Sequence, residues 1–393
     1  LQHNLTGFLC TRCGAPYEKR GIYSVCSVCG GPLLAIYDLE AVKVKLDRKD
    51  LDRRGPNMWR YRELLPVNDI ENIVSLGEGF TPLIKLERVS KELGIKVYLK
   101  DESRNPTGSF KDRATSATVS ALKEMGARSV AMPTAGNAGS SLAAYAVRAG
   151  FEVHIAMPRE TPRAIYAEIY IRSVDLSVVN GLINDAARLI SEGSKLYGWI
   201  DISTMKTPYR VEGTKTMAYE IAEQLGWRSP DAVIFPTGGG EAIVGMWKGF
   251  EELRTLGWID GIPRLIAVQS SGCKPIVDAY EKGTTDSEYY RGCSTIASGI
   301  RVPKPFGDRE ILRAIRETKG SAIAVSDQEI MDAMKKLASK EGILPCPEGA
   351  ASYAALSKLV ETGFVNRGET IIIFNSGNAL KYLEVLLDLT RAS

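Results

Sequence analysis

The sequence predicts an α/β protein built on mostly parallel sheets, with a small cysteine-bearing segment at its N-terminus. Short apolar runs of strand length alternate with helix-length segments over most of the chain. Glycine recurs just past those segments, where a helix end favours it. Four of the seven cysteines fall in the first thirty residues, as two C-x2-C pairs.

Composition bounds the rest. At 393 residues the chain is long enough for two or three domains and a large core. Its 44% hydrophobic and 25% charged content is ordinary for a soluble globular protein. The net charge of +3, from 50 basic and 47 acidic residues, argues against nucleic acid or a membrane surface as the main partner. Apolar runs such as 370–374 are far too short to span a bilayer. No charged-then-apolar leader opens the chain, and a cytoplasmic location is expected. The two histidines are His3 and His154, and His154 sits in a strand-like run where a structural role is expected. Triads and Cys-His pairs are thereby disfavoured, leaving lysine or carboxylate as the general base.

Taken in order, the first element is the cysteine segment, Cys10-Thr-Arg-Cys13 and Cys26-Ser-Val-Cys29, each pair followed by glycine. Paired C-x2-C turns bring four sulfurs to one tetrahedral ion, so a structural zinc site is expected; two disulfides or a redox dithiol are the alternatives. Cys273, Cys293 and Cys346 stand alone in the sequence and read as ordinary residues. A charged stretch, 42–62, leads into the main body. Residues 96–100 read as a strand, 111–125 as a helix ended by Gly126, and 129–132 as a strand. A small-residue helix over 139–149 stops at Gly150, and 152–157 is again a strand. Later strands are expected at 232–235, 264–268 and 370–374, with a helix from about Glu241. There are no internal repeats and no low-complexity tract.

Three glycine-bearing loops follow predicted strands, where open α/β sheets place ligands. In Pro133-Thr-Ala-Gly-Asn-Ala-Gly-Ser-Ser141, small residues admit a ligand close to the backbone and Asn137 offers an amide that donates and accepts. In Pro236-Thr-Gly-Gly-Gly-Glu-Ala242, glycines ahead of a helix expose amides to a phosphate, though neither a Walker motif nor G-x-G-x-x-G is present. In Phe374-Asn-Ser-Gly-Asn-Ala-Leu-Lys381, Ser376 puts a hydroxyl at a strand's carboxyl end. Upstream, Asn105-Pro-Thr-Gly-Ser-Phe-Lys-Asp-Arg113 sets Lys111 at a predicted helix N-terminus. The dipole there disfavours a cation and pushes the amine towards its free form, which attacks carbonyls. A lone lysine of this kind is ordinarily a solvated loop residue; the three loops are what give it meaning. A reactive lysine, an amide loop, a phosphate cup and a hydroxyl together suggest pyridoxal phosphate.

In this order, Ser109-Phe-Lys-Asp-Arg, Ala135-Gly-Asn-Ala, Gly238-Gly-Gly and Ser376-Gly-Asn-Ala-Leu-Lys, the chain resembles the fold-type II pyridoxal-phosphate enzymes and, within them, the threonine synthases. The resemblance extends to Ser75-Leu-Gly-Glu-Gly-Phe-Thr-Pro-Leu83 and Tyr209-Arg-Val-Glu-Gly-Thr-Lys-Thr216, and a zinc-ribbon-like N-terminus occurs in some members. It implies two open twisted α/β domains beside that segment. The divisions expected are 1–38 for the ribbon, 39–112 with 198–393 for a large cofactor-binding domain, and 113–197 for a small inserted one. It further implies that Lys111 carries the cofactor and shuttles protons. Asn137 meets the phenolic oxygen, Gly238, Gly239 and Gly240 hold the phosphate, and Ser376 faces the pyridine nitrogen. Arg210 grips the phosphate of O-phosphohomoserine, which suits a guanidinium fork. A homodimer acting on a small amino-acid substrate is implied as well.

Several substrate-facing positions depart from that pattern. Where threonine synthases commonly read Ser-Thr-Gly-Asn-Thr, this chain has Thr134-Ala-Gly-Asn-Ala138, keeping Thr134 of the hydroxyls that bind the substrate carboxylate. Thr204-Met205 replaces Asn-Ser, and Gly239 and Glu241 stand where asparagines are usual. Serine or threonine deamination and cysteate- or cysteine-forming β-replacement therefore stay open as alternative activities, with a non-catalytic ligand-binding protein as the remote one.

Overall fold

The computed structural model describes residues 4–181 and 183–391; His3 lies outside them. In chain order the first strands are β1 (Leu5–Cys10), β2 (Pro16–Glu18), β3 (Leu33–Tyr37), β4 (Leu83–Lys85), β5 (Lys96–Asp101), β6 (Ser129–Pro133) and β7 (Glu152–Pro158). They continue with β8 (Asp175–Val179), β9 (Ile200–Asp201), β10 (Ala232–Pro236), β11 (Arg264–Ser270), β12 (Ser321–Val325) and β13 (Thr370–Asn375). Helices that bear on the site are α1 (Lys111–Glu124), α2 (Asn137–Arg148), α3 (Tyr209–Thr214), α4 (Glu241–Thr255) and α5 (Pro347–Glu361).

The chain divides into two compact units, the first of Leu1–Phe80 with Asn105–Thr216 and the second of Thr81–Arg104 with Met217–Ser393. The first holds two sheets. One is antiparallel, in the order β2-β1-β3, and carries the paired cysteines; the other is parallel, in the order β8-β7-β6-β9. His154 on β7 is tied to Asp175 on β8 at 2.7 Å and stacks on Trp199 at 3.9 Å, a structural arrangement. The first unit's core joins both sheets: Phe8 and Leu33 belong to the same buried cluster as Val130, Ile155 and Leu142.

The second unit holds one six-stranded sheet, β12-β11-β10-β13-β5-β4, parallel except for the edge strand β4. In β13, Ile371, Ile372, Ile373 and Phe374 are all fully buried. A strand covered on both faces reads as a continuous apolar run, which explains why 370–374 shows no alternation. Parallel pairing puts the carboxyl ends of β10, β13 and β5 along one edge, and Asn375 Nδ2 donates to Asp101 Oδ1 at 2.9 Å across two of them.

Candidate active site

Lys111 is the first residue of α1 and is half-buried, with Nζ 4.3 Å from the Phe110 ring centroid. The turn before it is held from both ends. Gly108 takes a left-handed φ of 73°, and its amide donates to Asn105 O at 2.7 Å. Asp112, fully buried, accepts from the Thr107 amide at 2.6 Å and from the Thr107 hydroxyl. Burial pushes the Asp112 carboxyl up to about 6, with the Thr107 bonds opposing the rise. The lysine is thus fixed in a loop that folds back on the next residue of its own helix. Glu78 in the Gly-Glu-Gly turn is fully buried and accepts from Trp59 Nε1 (3.0 Å), Tyr145 Oη (2.8 Å) and the Leu76 amide (2.9 Å). A carboxylate so occupied is a structural anchor for that turn.

Asn137 opens α2 directly after the loop from β6, and is half-buried. The Thr134 hydroxyl accepts from the amides of Gly136 (3.2 Å) and Gly139 (3.1 Å), so it shapes the loop from within. Arg210, on α3, is fully buried and donates to Ile202 O at 3.4 Å. Both α2 and α3 pack on α1. Gly213 makes the α3 contact possible, because a Cβ there would lie 2.0 Å from Arg113 O. Within the first unit, Lys111, Asn137 and Arg210 therefore stand on helices packed around α1. Just past α3, Lys215 and Glu212 form a fully buried ion pair at 2.5 Å, with Lys215 Nζ 4.0 Å from the Tyr37 ring.

In the second unit the Gly238–Gly240 loop joins β10 to α4. Gly240 is the N-cap of α4 at φ 88°, and no side chain caps that helix. Space around the loop admits only backbone: a Cβ on Gly238 would lie 2.7 Å from Gly299 O, and one on Gly240 would lie 2.2 Å from Ile311 Cδ1. Gly239 is half-buried, while Glu241 is buried in the first turn. A helix N-terminus without a side-chain cap, preceded by glycines, is a cradle for a phosphate. Ser376, 6% exposed, follows β13, the strand beside β10, and so lies along the same sheet edge as the cradle. This donor set fits a phosphorylated pyridine, with amides for the phosphate and a hydroxyl for the ring.

The four N-terminal cysteines converge, their sulfurs all lying within 4.8 Å of one another. Cys10 and Cys29 approach to 3.4 Å and Cys13 and Cys26 to 3.6 Å, while zinc bound tetrahedrally by thiolates at about 2.3 Å sets sulfurs about 3.8 Å apart. Tyr17 Oη donates to Cys26 Sγ at 3.2 Å and holds that thiol down to about 6, favouring the thiolate. Two features escaped the sequence reading. Cys273 and Cys293, read as isolated, are joined as a disulfide across 20 positions. Cys346, read as ordinary, is the N-cap of α5 and lies 3.6 Å from Ser376 Oγ. Neither pairing has a local sequence signal, because each joins segments far apart in the chain.

The pyridoxal-phosphate dependent enzyme family matches residues 74–377. Threonine synthase of Methanocaldococcus jannaschii is 40% identical over 95% of this chain and 92% of its own. That of Methanosarcina acetivorans is 36% identical over 96% and 93%. Among solved structures, the processed form of threonine deaminase isoform 2 from Solanum lycopersicum aligns with a TM-score of 0.69 at 21% identity, covering 88% of this chain and 94% of that one. Maize serine racemase aligns at 0.68 and 22%, covering 79% and 92%. At such identities these two establish the fold alone.

Proposed function

The chain belongs to the pyridoxal-phosphate-dependent enzymes and, among them, to the threonine synthases, and from that premise we propose that it converts O-phospho-L-homoserine and water into L-threonine and phosphate. It is a pyridoxal-phosphate-dependent lyase. The observation that carries the substrate assignment is its identity to threonine synthases over nearly the whole chain. In the reaction the bond between the γ-carbon and the phosphate oxygen breaks, and water supplies the hydroxyl at the β-carbon.

Pyridoxal phosphate, when bound, supplies the electron sink for carbanion chemistry at the amino acid. The chain's own residues do the rest in this reading. Lys111 carries the cofactor, and its amine then removes the α-proton and returns protons along the chain of carbons. Its place at the start of α1, braced by Thr107 and Asp112, supports that role. Gly238, Gly239 and Gly240 hold the cofactor phosphate, Asn137 meets its phenolic oxygen and Ser376 its ring nitrogen. A hydroxyl at that nitrogen, unlike a carboxylate, does not force protonation, which suits elimination and replacement. Arg210 takes the substrate phosphate by paired hydrogen bonds, and Thr134 serves the substrate carboxylate through its loop.

A zinc ion on Cys10, Cys13, Cys26 and Cys29 completes the reading, supported by the mutual approach of the four sulfurs. So do a homodimeric state, checked by sedimentation equilibrium, and a cytoplasmic location. No helix among the described residues is long and apolar enough to cross a membrane.

Steady-state turnover of O-phosphohomoserine, O-phosphoserine, serine and threonine tests the assignment. Equal yields of threonine and phosphate from O-phosphohomoserine are expected. Ala135 and Ala138, which replace hydroxyls of the substrate loop, favour one second reading, deamination or β-replacement on a shorter amino acid. Ketoacid from threonine or serine, with no phosphate from O-phosphohomoserine, would establish that alternative.

A further inference from the structure

Glu348 stands in the first turn of α5, just after the N-cap Cys346 and Pro347. An acidic residue at a helix start is ordinarily an exposed group that serves its own dipole. This one is 3% exposed and reaches out of its helix: Oε1 accepts from the Gly299 amide, 49 positions away, at 2.7 Å. A backbone N–H can only donate, so the direction of that bond is fixed. The helix start is itself anchored, because the Cys346 amide donates to Asn375 Oδ1 at 3.1 Å and Asn375 Nδ2 donates to Asp101. Helix α5 also packs on β10 and β13, the strands that the glycine loop and Ser376 follow.

Gly299 belongs to a tight 3₁₀ turn, Ser298–Ile300. Upstream, the turn is fastened by Asp327, which accepts from Thr295 Oγ1 at 2.6 Å and from the Ile296 amide at 3.1 Å. At the turn itself the fastener is Glu348. The contacts on either side of Gly299 leave no slack. A Cβ on Gly299 would lie 2.9 Å from Glu348 Oε1, while its carbonyl oxygen lies 2.7 Å from where a Gly238 Cβ would stand. Val302 Cγ2 and Ile300 Cα close on that same point at 3.1 and 3.3 Å. Carboxylate, turn and loop form one close-packed stack, so a shift of the Gly299 peptide is passed on to Gly238.

We propose that Glu348 is a positioning residue: by holding the Gly299 amide it fixes the turn against which Gly238 rests, and so the entry of the glycine loop. The inference rests on the reading that Gly238, Gly239 and Gly240 hold the cofactor phosphate. On that reading, Glu348 sets the place of the phosphate from outside the cradle.

Two variants of similar side-chain size separate the hydrogen bond from packing. E348Q keeps an oxygen acceptor for the Gly299 amide. E348M keeps the side-chain length but removes the acceptor, leaving that amide without its partner. The readouts, taken on the cofactor-loaded protein, are the ¹H–¹⁵N amide resonances of the glycine-labelled chain and the ³¹P resonance of bound pyridoxal phosphate. In E348M the Gly238 amide and the ³¹P resonance both move, and the cofactor is lost several times faster on dilution. In E348Q each stays near its wild-type position. A Gly238 amide unmoved in E348M, or moved as far in E348Q, overturns the proposal wherever the phosphate lies. A Gly238 amide that moves in E348M alone, beside an unmoved ³¹P resonance, upholds the positioning of the loop and overturns instead the placement of the phosphate on it.

Discussion

Asp112 shows at the scale of one residue how the lysine's setting constrains the fold. Its carboxyl titrates at about 6 in the folded chain against a usual 3.8, raised by burial. Between those values the native state holds a proton that the unfolded state has released, so stability falls as pH rises from about 4 to 6. A shift of about two units corresponds to roughly 3 kcal/mol. D112N therefore flattens that segment of the stability–pH curve, as read by urea midpoints at pH 4, 5 and 6; an unchanged slope would contradict it. The Lys215–Glu212 ion pair is likewise fully buried on both sides. Removing one partner strands a charge, so K215A costs about 3–5 kcal/mol in denaturant unfolding, while E212Q/K215M together cost less.

Packing of α3 on α1 is the contact that sets Arg210 near the lysine's helix within the first unit. Because the atom that a Gly213 Cβ would strike is backbone, G213A cannot be relieved by a rotamer change and must push the helices apart. Overpacking of this kind costs about 1–3 kcal/mol. G213A is expected to lower Tm by several degrees and to raise KM for the phosphorylated substrate, both measurable on purified protein. Elements of this sort were legible to different degrees. The helix read over 111–125 is Lys111–Glu124, and the strand read over 96–100 is Lys96–Asp101, since local apolar pattern and the Gly126 stop suffice for both. The helix read from Gly139 begins at Asn137, so a side chain read as part of a loop opens a helix. Polar residues at a helix start carry little periodicity, and the boundary is set by the loop's own hydrogen bonds. What sequence could not disclose was proximity between distant segments: Cys346 beside Ser376, and Cys273 bonded to Cys293.

At the scale of the molecule, the cysteine segment is part of the first unit's core rather than a free appendage. Phe8 packs edge-on against Tyr209 at 5.5 Å, and Tyr209 Oη donates to Gly21 O at 2.9 Å. Tyr209 neighbours Arg210 on α3, so the cysteine segment supports the helix that carries the proposed phosphate ligand. Chelating the metal should lower Tm and raise KM for O-phosphohomoserine more than it lowers kcat, with one zinc per chain in the untreated protein. The measurement closest to the central claim is turnover of O-phosphohomoserine in H₂¹⁸O. A lyase that breaks the carbon–oxygen bond places ¹⁸O in the threonine hydroxyl and leaves the released phosphate unlabelled. Label in phosphate with homoserine as the other product would mean cleavage at phosphorus, and would contradict the account.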